Sequence, residues 1–186
     1  APTILRLARV GAPPALEGHD FGPLLTDASR RIREYVFAEH HWHDYEDLGR
    51  AVRSARFKYI RNDYPDLPAT PPADVVRSPT YQAMRRLQAQ GKLPAHQSGC
   101  FTKPRPPEEL YDVKDDPHEL HNLAGDSRYA GVLDAMRKAL ADWSRRTGFR
   151  VPGVRTPDEF DRETGTPLPN RIRPRPSKKT MQKSAP

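Results

Sequence analysis

The chain has 186 residues, of which 35% are hydrophobic and 21 are proline, and its formal net charge is +7. This composition predicts one domain whose ordered part is shorter than the whole chain. A single cysteine, Cys100, excludes an internal disulfide and a multi-cysteine metal site. No apolar run approaches the roughly 20 residues that cross a bilayer, so we expect no membrane partner.

The positive charge is concentrated at one end of the chain. Residues 171–186 contain six basic residues and no acidic residue, whereas the 25 basic and 24 acidic residues of 1–170 nearly cancel. The body of the protein therefore has no strong basic field, and we do not expect nucleic acid as a partner.

The first predicted element is a short helix near the amino terminus. Pro2 stands close to its start and Gly11 at its stop, and between them Ile4, Leu7 and Ala8 recur at helical spacing. Because the chain begins with alanine inside this apolar pattern, and no signal peptide is visible, we expect it to be a piece of a longer protein.

Three strands are predicted next. Residues 35–39 are rich in aromatic and β-branched side chains, and residues 50–53 and 56–61 form a hairpin over Ser54-Ala55. The turn lacks an Asn-Gly signal, so the register depends on the strand pattern. Residues 62–107 carry nine prolines and predict loops around one helix. Ser78 caps that helix.

The stretch 109–124 predicts a fourth strand, a tight corner and one capped helical turn. Asp116 takes the N-cap position and Glu119 the third helical position, which is the order of a capping box. Leu120 and Leu123, three residues apart, then turn one apolar side inward.

The strongest helix is predicted over residues 127–147, with Asp126 as its cap and Gly148 at its end. One apolar stripe runs along it: Tyr129, Val132, Leu133, Met136, Leu140 and Trp143. Four short strands and this helix predict an α+β fold, in which a small antiparallel sheet packs against the long C-terminal helix, with peripheral loops and short helices. From Val151 onward the prolines predict a tail that is ordered by contact or disordered.

Several of these segments resemble one known family. Glu-Leu-Tyr-Asp at 109–112, Asp-Pro-His-Glu-Leu at 116–120 and Asn-Leu-Ala at 122–124 closely resemble the closing segment of sulfatases, most specifically the heparan N-sulfatase (N-sulfoglucosamine sulfohydrolase) branch. The Ala-Pro-Thr start and the segment 18–25 resemble sulfatase segments too, although Arg9 replaces the usual glycine and His19 the usual arginine.

The resemblance implies a division of the chain. Residues 1–30 would be a remnant of the sulfatase catalytic domain, 31–150 the C-terminal subdomain of the alkaline-phosphatase-like superfamily, and 151–186 a proline-rich basic tail, disordered in part. Full-length relatives are often periplasmic, secreted or lysosomal, and the sequence does not choose among these compartments.

The resemblance also implies chemistry that this chain does not contain. Sulfatases hydrolyse sulfate esters or sulfamates with a formylglycine, made from Cys or Ser in a Cys/Ser-x-Pro-x-Arg motif, beside a Ca²⁺ ion. Neither Cys100 nor Ser78 stands in that motif. We therefore expect no catalytic residue, metal site or cofactor here, and as partners a missing N-terminal catalytic domain and a sulfated sugar.

The candidate substrate-pocket residues are His40, His41, His43 and Arg50. Imidazole at this spacing suits Zn²⁺, Ni²⁺ or Cu²⁺, and the resemblance favours a substrate pocket, while a solvated or interface loop is the third interpretation. Arg50 could hold a sulfate through its planar guanidinium, or it could be an ordinary strand-end charge.

Three functions follow from these patterns. The first is the C-terminal part of a heparan N-sulfatase-like enzyme, inactive alone. The second is a module that binds a polyanion, heparan or nucleic acid, through the tail 171–186, although a merely solubilising tail fits the same charge. The third is a histidine-cluster metal-binding protein.

Overall fold

The fold is built on an antiparallel sheet, seen in a computed structural model that describes residues 1–14, 16 and 18–169. In this part of the chain the strands follow the spatial order β1-β2-β3-β4. Their bounds are β1 Val36–His40, β2 Gly49–Arg53, β3 Phe57–Asn62 and β4 Glu108–Asp112. The predicted hairpin is confirmed, with Arg53 opposite Lys58.

Ser54 stabilises the hairpin turn, which has no Asn-Gly pair. Its hydroxyl oxygen accepts a hydrogen bond from the Phe57 N–H at 3.0 Å, and its own N–H donates to the Phe57 carbonyl at 2.8 Å. A serine side chain can replace a backbone turn in this way, so the register is fixed by the turn as well as by the strand pattern.

One long helix lies across the sheet. The helices are α1 Pro2–Leu7, α2 Gly22–Thr26, α3 Ala73–Val76, α4 Pro79–Ala89 and α5 Ala130–Thr147. The predicted stripe of α5 packs on β2, β3 and β4 in one core of six buried side chains: Val52, Tyr59, Leu110, Leu133, Met136 and Leu140. The α+β class and the helix-on-sheet arrangement are therefore confirmed.

Two helix caps agree with the sequence prediction. The Ser78 hydroxyl accepts the Tyr81 N–H at the start of α4, and the Asp126 carboxylate accepts the Arg128 N–H in a short 3₁₀ turn that leads into α5. At the other end of α5, Gly148 adopts a left-handed conformation with φ of +69°. A glycine there ends the helix without a Cβ clash.

The capped turn predicted at 116–124 is wrong. These residues form turns without a helix, Glu119 has a φ of +55°, and Leu120 is half exposed. The Asp116 carboxylate accepts the His121 N–H at 2.8 Å, and backbone donors of this kind lower the pKa of Asp116. The Leu123 N–H bonds to the Leu110 carbonyl instead, because the edge of β4 offers an unpaired acceptor.

Helix α1 ends earlier than predicted. The Val10 N–H bonds to the Leu5 carbonyl and the Arg9 N–H to the Arg6 carbonyl, which is the Schellman pattern of a helix end. Arg9 therefore takes a φ of +58°, a conformation that suits glycine. Position 9 is where the sulfatase pattern has glycine, so the structure gives that glycine a physical reason.

Residues 1–26 expose much apolar surface. Ile4 is 70% exposed, Leu7 60% and Leu25 65%. The buried Thr3 hydroxyl accepts the Phe21 N–H at 2.9 Å and so ties α1 to the start of α2. The division of the chain at residues 30 and 150 stays a prediction.

Residues beyond α5 pack against the loop between β1 and β2 and against α3 and α4. The segment 155–168, which we call the strap, carries the fully buried Glu159 and a β-bridge between Phe160 and Pro167. Phe160 joins a second small core of Tyr45, Ala73, Val76 and Tyr81. Among the described residues, no helix is both long and apolar enough to cross a membrane.

Candidate functional site

The candidate histidines lie on the loop that joins β1 to β2, residues 40–48, which we call the histidine loop. Their imidazoles face three different carboxylates: His41 lies 3.2 Å from Glu39, His43 lies 3.3 Å from Asp44, and His40 lies 3.7 Å from Asp47. About half or more of each histidine side chain is exposed. The loop thus presents three separate imidazoles to solvent.

The acidic residues beneath them hold the loop in shape. Asp44 is buried, and its carboxylate accepts the Ala73 N–H at 2.8 Å. The Asp47 carboxylate accepts the Leu48 N–H and pairs with the buried guanidinium of Arg105. These oxygens are already used by the fold.

The histidine-cluster metal site is not assembled in the described part of the chain. No three His, Cys, Asp or Glu side chains there are placed to hold a metal ion. Cys100 does not fit the formylglycine of the resemblance, because it lies in Gly-Cys-Phe-Thr-Lys and not in a Cys/Ser-x-Pro-x-Arg motif.

Arg50 is committed to the fold. Its Nε and Nη2 each donate to the Asp63 carboxylate at 2.9 Å, and its Nη1 donates to the Ser144 hydroxyl of α5 at 2.9 Å. The guanidinium carbon also lies 4.1 Å from the centre of the Phe149 ring. This geometry favours the structural interpretation of Arg50 over the sulfate ligand.

The strap fixes the outer side of the histidine loop. The Trp42 indole donates to the Pro157 carbonyl at 2.9 Å, and the Glu46 N–H donates to the Asp158 carboxylate at 2.6 Å. The Glu159 N–H donates in turn to the Asp44 carbonyl at 2.9 Å.

Arg162 is the central side chain of this contact. It forms a bidentate pair with Asp158, donates to the Glu46 carbonyl at 2.7 Å and stacks 5.1 Å from the centre of the Tyr45 ring. Burial, then the nearby Asp44 carboxylate, raises the pKa of Tyr45 to about 12, so the phenol stays neutral. Sequence analysis missed this support, and the i,i+4 spacing of Asp158 and Arg162 is the signal that could have suggested it.

A cleft of about 1220 Å³ opens between β1, the last turns of α5 and residues 18–19. Two rings of its wall are stacked: Phe37 and Trp143 have centroids 5.1 Å apart and planes 2° from parallel. The cleft is lined chiefly by aromatic and basic side chains: Arg33, Tyr35, Phe37, Trp143, Arg145 and Arg146. The sequence patterns gave no indication of it.

Comparison with known proteins gives the chain a family. A search against models of protein families found no match. The "ulvan-active sulfatase" of Formosa agariphila is 39% identical over 150 residues, which are 80% of this chain and 25% of that protein. Human "N-sulphoglucosamine sulphohydrolase" is 33% identical over 110 residues, 59% of this chain and 22% of the enzyme.

A solved structure agrees with these relatives. A 2-O GAG sulfatase superimposes with a TM-score of 0.51 at 25% identity, over 82% of this chain and 26% of that one. The chain thus spans about a quarter of the length of the relatives it matches. Matching in both sequence and fold, the chain belongs to the sulfatase family.

Proposed function

We propose that this chain is the C-terminal part of a sulfatase that acts on a sulfated sugar, and that catalysis needs polypeptide outside these 186 residues. The observation that carries the proposal is the 39% identity to an ulvan-active sulfatase over 80% of this chain but 25% of the relative. The more specific proposal is that the substrate is an N-sulfated sugar, and it is supported by the 33% identity to N-sulphoglucosamine sulphohydrolase.

The nucleophile and the cation belong to the other part in this proposal. A formylglycine and a Ca²⁺ ion would reside in the catalytic portion, since Cys100 stands outside the required motif. The apolar side chains of Ile4, Leu7 and Leu25 would then contact that portion, which accounts for their exposure.

The role of this chain would be to complete the substrate cleft. The exposed imidazoles of His40, His41 and His43 are the groups that could contact a sulfate or a sugar hydroxyl. The strap and the buried Asp44 hold them on a preformed loop, and preformed loops bind at a lower entropic cost.

Two assays test the proposal. The purified chain should show no turnover of sulfamate or aryl sulfate substrates, and fusion to the remaining part of the Formosa relative should restore turnover. In the fusion, His41→Ala should lower kcat/KM at least tenfold, whereas the exposed His96→Ala, outside the loop, serves as a matched control and should not. Turnover by the chain alone, or equal effects of the two substitutions, would overturn the proposal.

A second candidate function is polyanion binding by the basic segment 171–186, which lies outside the described residues. Its six positive charges without an acid are the observation that favours it. Deleting the segment should lower the salt concentration that elutes the chain from heparin, and unchanged elution would remove the idea.

A further inference from the structure

We infer that the cleft between β1 and the end of α5 is a binding subsite for a sulfated sugar residue. The inference rests on the proposed function, because it takes its ligand class from there, but it assigns the ligand to residues that the sequence patterns did not single out. It follows from an aromatic wall, from unpaired guanidinium groups and from the position of the cleft beside the histidine loop.

The wall offers flat apolar surface that the fold leaves only partly covered. Phe37 and Trp143 are half-buried and stacked, and the Tyr35 ring lies 6.3 Å from Phe37. Aromatic faces of this kind pack against the C–H face of a sugar ring while its hydroxyl groups remain in water. The cleft is open and has a volume of about 1220 Å³, above the roughly 1,000 Å³ of large small-molecule pockets, so it has room for a sugar residue.

The charges select an anionic sugar. Arg145 is paired with Asp142, but in the described part of the chain the side chains of Arg33 and Arg146 form neither an ion pair nor a hydrogen bond. Both are exposed at the cleft. A guanidinium group matches the oxygens of a sulfate with two parallel N–H donors, so these two arginines are free to bind one.

The remaining polar groups of the cleft do not reverse this preference. Glu34 is the other acidic lining residue, and His19 adds an imidazole to the lining. Asp142 is paired with Arg145, and the three arginines of the lining outnumber its two carboxylates. The cleft therefore keeps a positive surplus where a ligand would lie.

The cleft and the histidine loop both adjoin the edge strand β1. Phe37 and Glu39 share one face of β1, and Tyr35 and His41 directly precede and follow the strand. About four residues of strand, on the order of 13 Å, separate Phe37 from His41. The His41 ring lies 6.0 Å from Phe149, just beyond α5, so one oligosaccharide could reach both places.

Binding measurements on the full 186-residue chain test the inference. The probes are an N-sulfated heparin-derived hexasaccharide, the same hexasaccharide after desulfation, and a single-stranded DNA of equal charge. The variant Arg33→Gln/Arg146→Gln should bind the sulfated probe at least tenfold more weakly. The matched control Arg86→Gln/Lys92→Gln removes the same charge from exposed positions outside both the cleft and the basic segment, and should change the affinity less than twofold.

Both arginine side chains are exposed and form no ion pair with a described residue, so the melting temperature of the double variant should equal that of the parent and report an intact protein. Equal losses in the two double variants, equal affinity for the desulfated sugar or the DNA, or no binding of the sulfated sugar would overturn the inference. The sulfatase proposal is judged separately, by turnover of the fused enzyme: a variant that binds normally while the fusion turns over substrate rejects the subsite alone.

Discussion

Replacing Arg50 with glutamine should destabilise the fold by about 3 kcal/mol, because removing one partner of a buried ion pair leaves the other charge without compensation. The Arg50 side chain is 14% exposed and that of Asp63 only 7%. Losses of this kind reach about 5 kcal/mol, and we take the lower end because the Arg61 guanidinium remains 3.7 Å from Asp63. For a chain of this size, about 3 kcal/mol lowers Tm by roughly 6–12 °C.

The assay is thermal and urea unfolding of four proteins in a double-mutant cycle: the parent, Arg50→Gln, Asp63→Asn and the double variant. The double variant should lose less than the sum of the single losses, with a coupling of about 1–3 kcal/mol. Arg53→Gln, on the same strand and exposed, is the control and should cost less than about 0.5 kcal/mol. If Arg50→Gln left the stability unchanged but abolished binding of a sulfated sugar, Arg50 would be a ligand and our reasoning would fail.

Three further predictions concern backbone and charge. Gly165→Ala should cost about 1–3 kcal/mol more than Gly91→Ala in urea unfolding. Both glycines have positive φ, but only at position 165 would a Cβ lie 2.6 Å from the Ala73 carbonyl oxygen. Equal costs of the two substitutions would contradict this. Arg9→Gly should raise stability by up to about 1 kcal/mol, because it relieves a left-handed conformation, and a loss would refute the strain. The Arg137 guanidinium lowers the pKa of Glu108 from 4.5 to about 2. The contribution of this pair to stability should therefore be complete above about pH 4.5 and decline as the pH falls towards 2. Glu108→Gln should flatten that decline, measured as Tm against pH.

Local patterns predicted the central part of the fold. The α5 stripe indicated the core helix because residues such as Leu133 and Leu140 recur on one face and find a sheet to cover them. The hairpin followed from strand-forming residues on either side of Ser54. In both cases the interactions that decide the structure join residues close in sequence, or residues of one repeating pattern.

The rest depended on contacts between distant residues. The sequence around Asp116 favours a helical turn, yet the pairing of Leu123 with Leu110 across the edge of β4 prevails. The guanidinium of Arg50 suits a sulfate ligand, but its hydrogen-bond partner Ser144 lies 94 positions away, on α5. No local pattern could indicate that partner, so the sequence somewhat favoured a strand-end charge but left the ligand interpretation of Arg50 open.

The sequence could not predict the cleft for the same reason. Phe37 and Trp143 each belong to an ordinary apolar pattern, and their pairing becomes visible only when β1 and α5 meet. Arg33 and Arg146 are ordinary surface charges in the sequence. Their lack of a partner, which gives the cleft its preference for anions, is a property of the folded chain.

The contact between Arg162 and the histidine loop has a consequence for how the protein is made. Residues 42–46 are synthesised more than a hundred residues before the groups that hold them. While the ribosome is still adding α5, the sheet can already pair, but the loop has only its contacts with earlier residues such as Ala73 and Arg105 and lacks those with the strap. A nascent chain would thus acquire its sheet first and the complete support of its histidine loop last.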